Sequence, residues 1–289
     1  IVMRAKLPDS TLNIERDGVS LHCEIFGDGP DTILFVPTWM FIHSRGYKAQ
    51  IPYFSDHFRC ITWDPRGNGK SDRPTDPAMF GQGQYVADVL AVMEATKTSK
   101  AILFGYSQSG PTCAIMAAYH PERVRAVVTV GTHTPLVARH AHNSEDSYNS
   151  DLGGKIPQGW EKYNRGHWQN DFEDFADFFS EQLFVEPHST KQREDVRSWS
   201  EGTSGEILAA SMSAPYAGEY ELDEAAYRRI TCPMLVIHGR LDPIAPVAAS
   251  EKIAELSGCE LVVFEEAGHA PHARFPARTN TLVRDFFAK

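Results

Sequence analysis

Residues 101–111 read Ala101-Ile-Leu-Phe-Gly105-Tyr-Ser107-Gln-Ser109-Gly-Pro111, and this stretch decides the fold. Its apolar first half predicts a buried strand over 101–106, and the residues that follow predict a helix over 108–120. The turn between them has the pattern G-x-S-x-G, except that Ser109 stands where glycine is usual. A strand, a sharp turn and a helix in this order expose the hydroxyl of Ser107, which makes it a candidate nucleophile. A serine in an ordinary strand–helix turn is the alternative.

The rest of the chain repeats the alternation of strands and helices. The predicted strands are Thr11–Glu15, Ser20–Phe26, Thr32–Val36, Phe58–Trp63, Ala101–Tyr106, Ala126–Gly131, Met234–Gly239 and Glu260–Phe264. Helical periodicity marks Tyr85–Ala95, Gln108–His120, Val247–Leu256 and Ala277–Phe287. Asp17-Gly18 between the first two strands indicates a hairpin. We therefore predict an α/β fold, with a mostly parallel eight-stranded sheet and an antiparallel hairpin at one edge.

The alternation stops after Gly131 and resumes at Met234. The intervening sequence is amphipathic, with Phe172, Phe175, Phe178 and Phe179 at helical spacing on one face. We predict a helical cap over 132–229, inserted into an α/β core formed by 1–131 and 230–289. Its aromatic side chains would either form the core of the cap or line a pocket for substrate.

A carboxylate and an imidazole follow two of the later strands. Asp242 comes just after the strand 234–239, and His269 follows the strand 260–264. The carboxyl ends of parallel strands share one edge of a sheet, so both groups should meet Ser107 there. His269 would take the proton of the serine, and Asp242 would orient the imidazole. Taken singly, Asp242 could be a turn residue and His269 a surface histidine.

These motifs carry a family resemblance. Asp64-Pro-Arg66-Gly-Asn-Gly69-Lys-Ser71 matches the D-x-R-G-x-G-x-S turn of the α/β-hydrolase superfamily, which the chain resembles over essentially its full length. It is most similar to the serine esterase branch with an inserted cap, and some serine esterases that open macrolide lactones resemble this branch. The resemblance implies hydrolysis through an acyl-enzyme, without a cofactor.

The resemblance also implies an oxyanion site with one departure from the usual pattern. The family commonly has His-Gly after its third strand, where this chain has Pro37-Thr38. By position, the main-chain N–H groups of Trp39 and Gln108 would bind the oxyanion, and the Trp39 indole or Met40 would line the pocket. His43 is a further candidate for the pocket, with an ordinary loop histidine as the alternative.

Composition narrows the class of protein. Among 289 residues, 42% are hydrophobic and 23% are charged, as in soluble domains with a real core. The formal charge of −10 disfavours nucleic acid as a partner, and no apolar run approaches the roughly 20 residues that span a bilayer. The start lacks the apolar stretch of a secretory signal. Ile1 is no initiator, so we expect either residues upstream of it or a start at Met3.

The cysteines and histidines indicate neither a disulfide nor a metal. The five cysteines form no CxxC pair, so we expect free thiols and a cytoplasmic location; they are Cys23, Cys60, Cys113, Cys232 and Cys259. His133, His140 and His142 lie close together in sequence without the spacing of a metal site. We therefore expect no metal and no cofactor. The sequence leaves the oligomeric state open.

The leading hypothesis is hydrolysis of a bulky carboxylic ester or lactone. Hydrolysis of a C–C bond is the alternative reaction, and a hydrolase-fold receptor is the alternative class. Residues 140–227 hold 18 Asp and Glu against 6 Lys and Arg, a formal charge of −12. These acids could keep the protein soluble or attract substrates that carry an amine.

Overall fold

The sheet has the predicted eight strands. The computed structural model describes residues 6–214 and 220–289, so Ile1 and Met3 lie outside the described residues. The strands are β1 (Ser10–Arg16), β2 (Val19–Phe26), β3 (Thr32–Val36), β4 (Arg59–Trp63), β5 (Ala101–Tyr106), β6 (Val124–Val130), β7 (Met234–Gly239) and β8 (Glu260–Phe264). Their order in the sheet is β1-β2-β4-β3-β5-β6-β7-β8.

The antiparallel part of the sheet is confined to one edge. β1 pairs antiparallel with β2, and β2 pairs antiparallel with β4, whereas every later pairing is parallel. Asp17 and Gly18 both have positive φ, at 50° and 75°, which gives the hairpin turn the twist that two-residue connections favour. The predicted hairpin and the predicted mostly parallel sheet are confirmed.

Helices cover both faces of the sheet. They are α1 (Ile51–Phe54), α2 (Gln82–Ala95), α3 (Ser109–Tyr119), α4 (Glu145–Asn149), α5 (Arg165–Asn170), α6 (Phe172–Leu183), α7 (Thr190–Ser200), α8 (Gly205–Met212), α9 (Glu224–Arg228), α10 (Val247–Ser257), α11 (Pro271–Arg274) and α12 (Pro276–Phe287). The four helices predicted from periodicity correspond to α2, α3, α10 and α12. Apolar residues of α2, α3, α9 and α10 pack on one sheet face, and those of α1 and α12 pack on the other.

The segment between β6 and β7 contains α4 to α9, and its described residues form no strand. Its aromatic side chains continue the core on the sheet face that carries α12. Phe175, Phe178 and Phe179 are buried on one side of α6, as their spacing predicts, while Phe172 is partly buried. Phe41, from the loop after β3, packs edge-on against Phe179 at 5.1 Å between ring centroids. This segment is therefore joined to the sheet by aromatic packing.

The turn after β4 explains the D-x-R-G-x-G-x-S signature. The Asp64 carboxylate accepts hydrogen bonds from the Ser44 hydroxyl at 2.6 Å and from the Lys70 N–H at 2.9 Å. Gly69 has a φ of 64°, and a Cβ there would lie 2.4 Å from the Asp64 carboxylate. The amide of Asn68 donates to the Met40 carbonyl at 2.7 Å. The turn thus holds the loop that follows β3.

A buried ion pair ties this turn to α2. Arg66 is fully buried and donates to both carboxylate oxygens of Asp88, at 2.8 Å and 2.6 Å. Arg16 donates to the same carboxylate at 2.6 Å, and Arg66 also donates to the Met79 carbonyl. Every charge in the cluster is paired, which a buried carboxylate requires.

Replacing Asp88 with Asn should destabilise the fold strongly. The change leaves the buried Arg66 guanidinium without its opposite charge, and breaking one side of a buried pair costs about 3–5 kcal/mol. Urea unfolding measures the loss. The control is Glu255→Gln, which removes an exposed pair with Lys252 and should cost less than about 1 kcal/mol. Equal losses for the two variants would contradict this assignment.

Candidate active site

Ser107 occupies a strained turn between β5 and α3. Its φ is +53°, in the left-handed region that residues other than glycine seldom adopt. The turn is possible because glycines allow its flanking segments to pack closely against their neighbours. A Cβ on Gly105 would lie 2.7 Å from the Cys113 sulfur, and one on Gly110 would lie 1.8 Å from the Thr132 hydroxyl. The strand–turn–helix context predicted from sequence is present.

Ser109, the departure from the usual glycine, fastens the same turn. Its hydroxyl accepts the N–H of Tyr106 at 2.8 Å and donates to the carbonyl of Tyr106 at 3.0 Å. The side chain is buried, so it satisfies two main-chain groups that water does not reach. The small serine is accommodated here, while Gly110 provides the close contact between helix and β6.

Asp242 and His269 meet beyond the ends of β7 and β8. His269 Nδ1 lies 2.7 Å from Asp242 Oδ2, and both side chains are buried. The other oxygen, Oδ1, accepts the N–H groups of Ile244 at 2.8 Å and Ala245 at 3.0 Å. These bonds fix the carboxylate, which in turn fixes the imidazole.

Asp242 remains ionised although it is buried. Burial raises the pKa of this carboxyl, but the neighbouring imidazole of His269 and the hydrogen bonds from His238 and His269 hold the pKa below its ordinary value. An ionised Asp242 requires hydrogen on Nδ1 of His269, which leaves Nε2 of the neutral ring free to accept a proton.

His238 is a second histidine on the same carboxylate, and the sequence reasoning did not assign it. Its Nε2 lies 3.0 Å from the Ala245 carbonyl and 3.2 Å from Asp242 Oδ2. Both atoms are acceptors, so Nε2 carries the hydrogen. Nδ1 lies 2.6 Å from the Ser250 hydroxyl. His238 is the penultimate residue of strand β7, four residues before Asp242, and its position near the strand end is the signal in the sequence.

A cavity of about 770 Å³ lies at this edge of the sheet. Ser107 and His269 both line it, so the structure brings the candidate nucleophile and the candidate base to one space. Its walls come from the core and from the segment between β6 and β7, including Tyr148, Tyr163, Phe179 and Met212. Aromatic residues of that segment therefore contribute both to its packing and to the cavity.

The four predicted oxyanion and pocket residues divide into two pairs. Trp39 and Gln108 line the cavity, and the indole N–H of Trp39 donates to the Ser211 hydroxyl at 3.2 Å. Met40 is 1% exposed and is not among the described lining residues, because its side chain packs beside Gly67. His43 is likewise absent from the lining, and its Nδ1 accepts the N–H of Arg45 at 3.3 Å. The structure thus assigns Met40 to the core and His43 to the turn that follows.

His133 and Arg139, which follow β6, line the cavity although the sequence did not predict them as site residues. The spacing of His133 from His140 and His142 does not fit a metal site. Burial, together with the charges of Arg139 and His269, lowers the pKa of His133 to about 3, so its ring is neutral at physiological pH. Their position after a strand end is the only sequence signal, and it is a weak one.

Within residues 6–214 and 220–289, no three His, Cys, Asp or Glu side chains come close enough together to hold a metal ion. The same residues contain no helix with the length and apolar character needed to cross a membrane. All five cysteines are free thiols, as their spacing predicts.

A family model described as the alpha/beta hydrolase fold matches residues 31–276. This chain belongs to the α/β-hydrolase family. It is 28% identical over 275 residues to serine hydrolase BPHL of Mus musculus, covering 93% of this chain and 84% of that protein. It is 25% identical over 272 residues to a pimeloyl-[acyl-carrier protein] methyl ester esterase of Aeromonas hydrophila, covering 93% and 99%. The solved enol-lactonase from Burkholderia xenovorans LB400 has the same fold, with a TM-score of 0.76, 22% identity and coverage of 97% and 100%.

A buried histidine near the site should make this α/β hydrolase sensitive to acid. Burial, together with the charge of His269, lowers the pKa of His272 to about 3, against about 6.5 in an unfolded chain. Below pH 6.5 the unfolded chain therefore binds a proton here that the folded protein does not. His272 thus leaves stability unaffected above that pH and removes about 1.4 kcal/mol per pH unit below it.

His272→Gln should flatten the dependence of unfolding free energy on pH between about 6.5 and 5, a slope that urea unfolding measures. His57 is exposed, and His57→Gln should keep the slope of the parent protein. A parental slope in His272→Gln would show that this histidine does not set the acid sensitivity.

Proposed function

We propose that this protein is a serine hydrolase that cleaves carboxylic esters, including lactones, through an acyl-enzyme. Ser107 is the nucleophile, His269 its general base and Asp242 the acid that orients the base. The observation that carries the proposal is the buried 2.7 Å contact between His269 and Asp242, in the wall of the cavity that Ser107 enters from its strained turn. A serine hydroxyl needs such a base because it is scarcely ionised at neutral pH.

The chemistry follows from the protonation states. Nε2 of His269 takes the proton of Ser107 as the hydroxyl attacks the ester carbonyl, and the imidazolium is stabilised by the ionised Asp242. The same proton passes to the departing alcohol, and Ser107 remains acylated. Water then attacks the acyl group with His269 again as base, which releases the acid and restores the serine. A lactone follows the same course, with the alcohol and the acid in one product.

The oxyanion site that we propose consists of the main-chain N–H groups of Gln108 and Trp39. Both residues line the cavity that contains Ser107. Gln108 directly precedes α3, where main-chain N–H groups and the helix dipole favour negative charge. The indole N–H of Trp39 is bonded to Ser211, so the side chain forms part of the wall.

The substrate that we propose is bulky and largely apolar. The cavity of about 770 Å³ falls in the range of sites for drug-sized ligands, and aromatic residues form much of its wall. We propose residues 132–229 as the cap that encloses it, over a core of 1–131 and 230–289, and a macrolide lactone as one substrate of suitable size. The similarity to a methyl ester esterase supports the ester class. Free cysteines support a cytoplasmic location.

A fluorophosphonate probe and a panel of esters and lactones test the reaction. We expect one covalent adduct, on Ser107. Ser107→Ala and His269→Ala should each lower kcat by at least about 10³-fold, and the double variant should lose little more, because the triad acts as a unit. The pattern is measured with folded protein, as judged by circular dichroism.

Ser109→Ala is the matched control, since the Ser109 hydroxyl bonds to main-chain groups of Tyr106. It should keep most of the activity while losing some stability. Labelling at another residue, or substantial turnover by Ser107→Ala, would refute the nucleophile. Turnover of C–C substrates with no activity on any ester would refute the ester class.

The charged groups in the described lining of the cavity are one base and one acid, so their formal charges balance. Arg139 and Glu145 are the only Arg, Lys, Asp or Glu among the described lining residues. Some of the other acids of the 140–227 segment pair with bases outside the cavity lining, as Asp174 does with Lys162 at 2.6 Å. The charge of −12 therefore does not give an acidic cavity. We propose that Arg139 binds an anionic group of the substrate, distant from the ester.

Two esters of equal length test this preference, one ending in a carboxylate and one in a methyl group. Arg139→Gln should lower kcat/KM for the carboxylate ester by about 10- to 100-fold, mainly through KM, because a charge-assisted hydrogen bond is lost. The methyl ester should change by less than about 3-fold. Equal changes for the two esters, or a preference of the parent for an amine-bearing ester, would contradict the role of Arg139.

A further inference from the structure

We propose that Glu186 is a positioning residue for His269: its carboxylate fixes the loop that presents the imidazole to Ser107. Glu186 lies between α6 and α7, in the segment inserted between β6 and β7. The inference rests on the proposed function, in which His269 is the general base. It adds a contribution from the inserted segment to the geometry of the base itself.

The contact is direct and buried. Oε1 of Glu186 accepts the main-chain N–H of Gly268 at 2.7 Å, across 82 residues of sequence. Glu186 is only 4% exposed. This N–H lies in the peptide between Ala267 and Gly268, one peptide before His269, so the bond fixes the main chain that leads into the residue carrying the imidazole. A carboxylate acceptor makes the bond stronger than a neutral acceptor would.

The same loop is held sterically on its other sides. A Cβ on Gly239, at the end of β7, would lie 1.9 Å from the Gly268 carbonyl oxygen. One on Gly131, just after β6, would lie 2.4 Å from the His269 carbonyl oxygen, and one on Gly268 would lie 2.8 Å from a methyl of Val185. The loop is therefore enclosed by two strand ends and by residues 185–186, and Glu186 adds its hydrogen bond to Gly268.

The carboxylate of Glu186 has no cationic partner within 4 Å in the part of the chain that the structure describes, and its Oε2 is buried without a hydrogen bond there. Burying a carboxylate in this way is costly. In return, the buried carboxylate accepts a hydrogen bond from one main-chain N–H, that of the residue before His269. The hydroxyl of Tyr106 is also buried without a partner among the described residues, and its ring lies 5.2 Å from the His269 imidazole. The main-chain N–H of Leu241 also donates to the Ala267 carbonyl at 2.9 Å, so Glu186 contributes, from the inserted segment, one of the hydrogen bonds that hold this loop.

The consequence is a dependence of the base on the inserted segment. A shift of the reacting groups by 1 Å can lower a rate by about 10²-fold. The hydrogen bond with Asp242 fixes the Nδ1 side of the imidazole. The position of the main chain at Gly268 fixes the point from which the His269 side chain extends. A displacement of residues 185–186 would therefore move the main chain at Gly268 and, with it, the imidazole of His269.

The test uses the full-length protein and three substitutions. Glu186→Gln keeps an acceptor oxygen at the same reach; Glu186→Ala removes it; Glu186→Asp keeps the charge but shortens the side chain by one methylene. We expect Glu186→Ala and Glu186→Asp to lower kcat by about 10- to 100-fold with KM within about 3-fold, because only the base is displaced. Glu186→Gln should restore kcat to within about 3-fold of the parent. Glu181→Ala, an exposed acid of α6, is the control and should match the parent.

The rate of Ser107 labelling by the fluorophosphonate should fall in parallel with kcat, since that reaction needs the same base. Parental kcat and labelling in a less stable Glu186→Ala would show a merely structural role and overturn the inference. A Glu186→Gln variant as slow as Glu186→Ala would also overturn it. If Glu186→Ala does not fold, the comparison of Glu186→Asp with Glu186→Gln decides. Absence of labelling in the parent itself would instead refute the proposed nucleophile.

Discussion

The reversal of the chain at Ser107 is the constraint on which the geometry of the site depends. A serine at a φ of +53° is strained, and it persists only because β5 and α3 are pressed together around it. Gly105 permits that approach, since a Cβ there would overlap Cys113. Gly110 permits α3 to approach the residues after β6, since a Cβ there would overlap Thr132. This turn places the Ser107 hydroxyl at the edge of the sheet where the parallel strands end.

That edge collects groups from distant parts of the chain without any of them being neighbours in sequence. β6 supplies the loop with His133, β7 supplies Asp242, and β8 leads to His269. The side-by-side order of β5, β6, β7 and β8 makes the convergence a property of topology. The inserted segment contributes further lining residues of the cavity, and its aromatic packing is continuous with one face of the sheet.

Buried charge is the second organising feature of the site. Asp242 is ionised in the interior because two imidazoles and two main-chain N–H groups surround it. The Asp88 carboxylate of α2 is satisfied in the same manner by Arg66, from the turn after β4, and by Arg16. Glu186 differs from both, because its charge obtains one main-chain N–H and no cation in the described structure. That difference is why the contact points to the loop of His269 rather than to stability alone.

The sequence by itself determined the elements and the three residues of the proposed triad. Strand periodicity, the Asp17-Gly18 turn and the residues around Ser107 are local signals, and local backbone preferences decide them. Asp242 and His269 could be named because strand ends meet at one edge in any parallel sheet. Tertiary structure alone decided the remainder: Met40 and His43 lie near Trp39 in sequence, yet side-chain direction takes them away from the cavity.

The proposed roles of Glu186 and Arg139 likewise depend on the packing of segments far apart in the chain. His238 differs, because its partners lie only 4 to 12 residues further along the sequence. Nothing in the neighbourhood of Glu186 in the sequence indicates the N–H of Gly268, 82 residues away. The acidic composition of 140–227 likewise did not predict the charge of the cavity, because a count of charged residues does not say which side of a helix faces the cavity. Local sequence sets the conformation of each segment, whereas burial and partnership are properties of the packed chain.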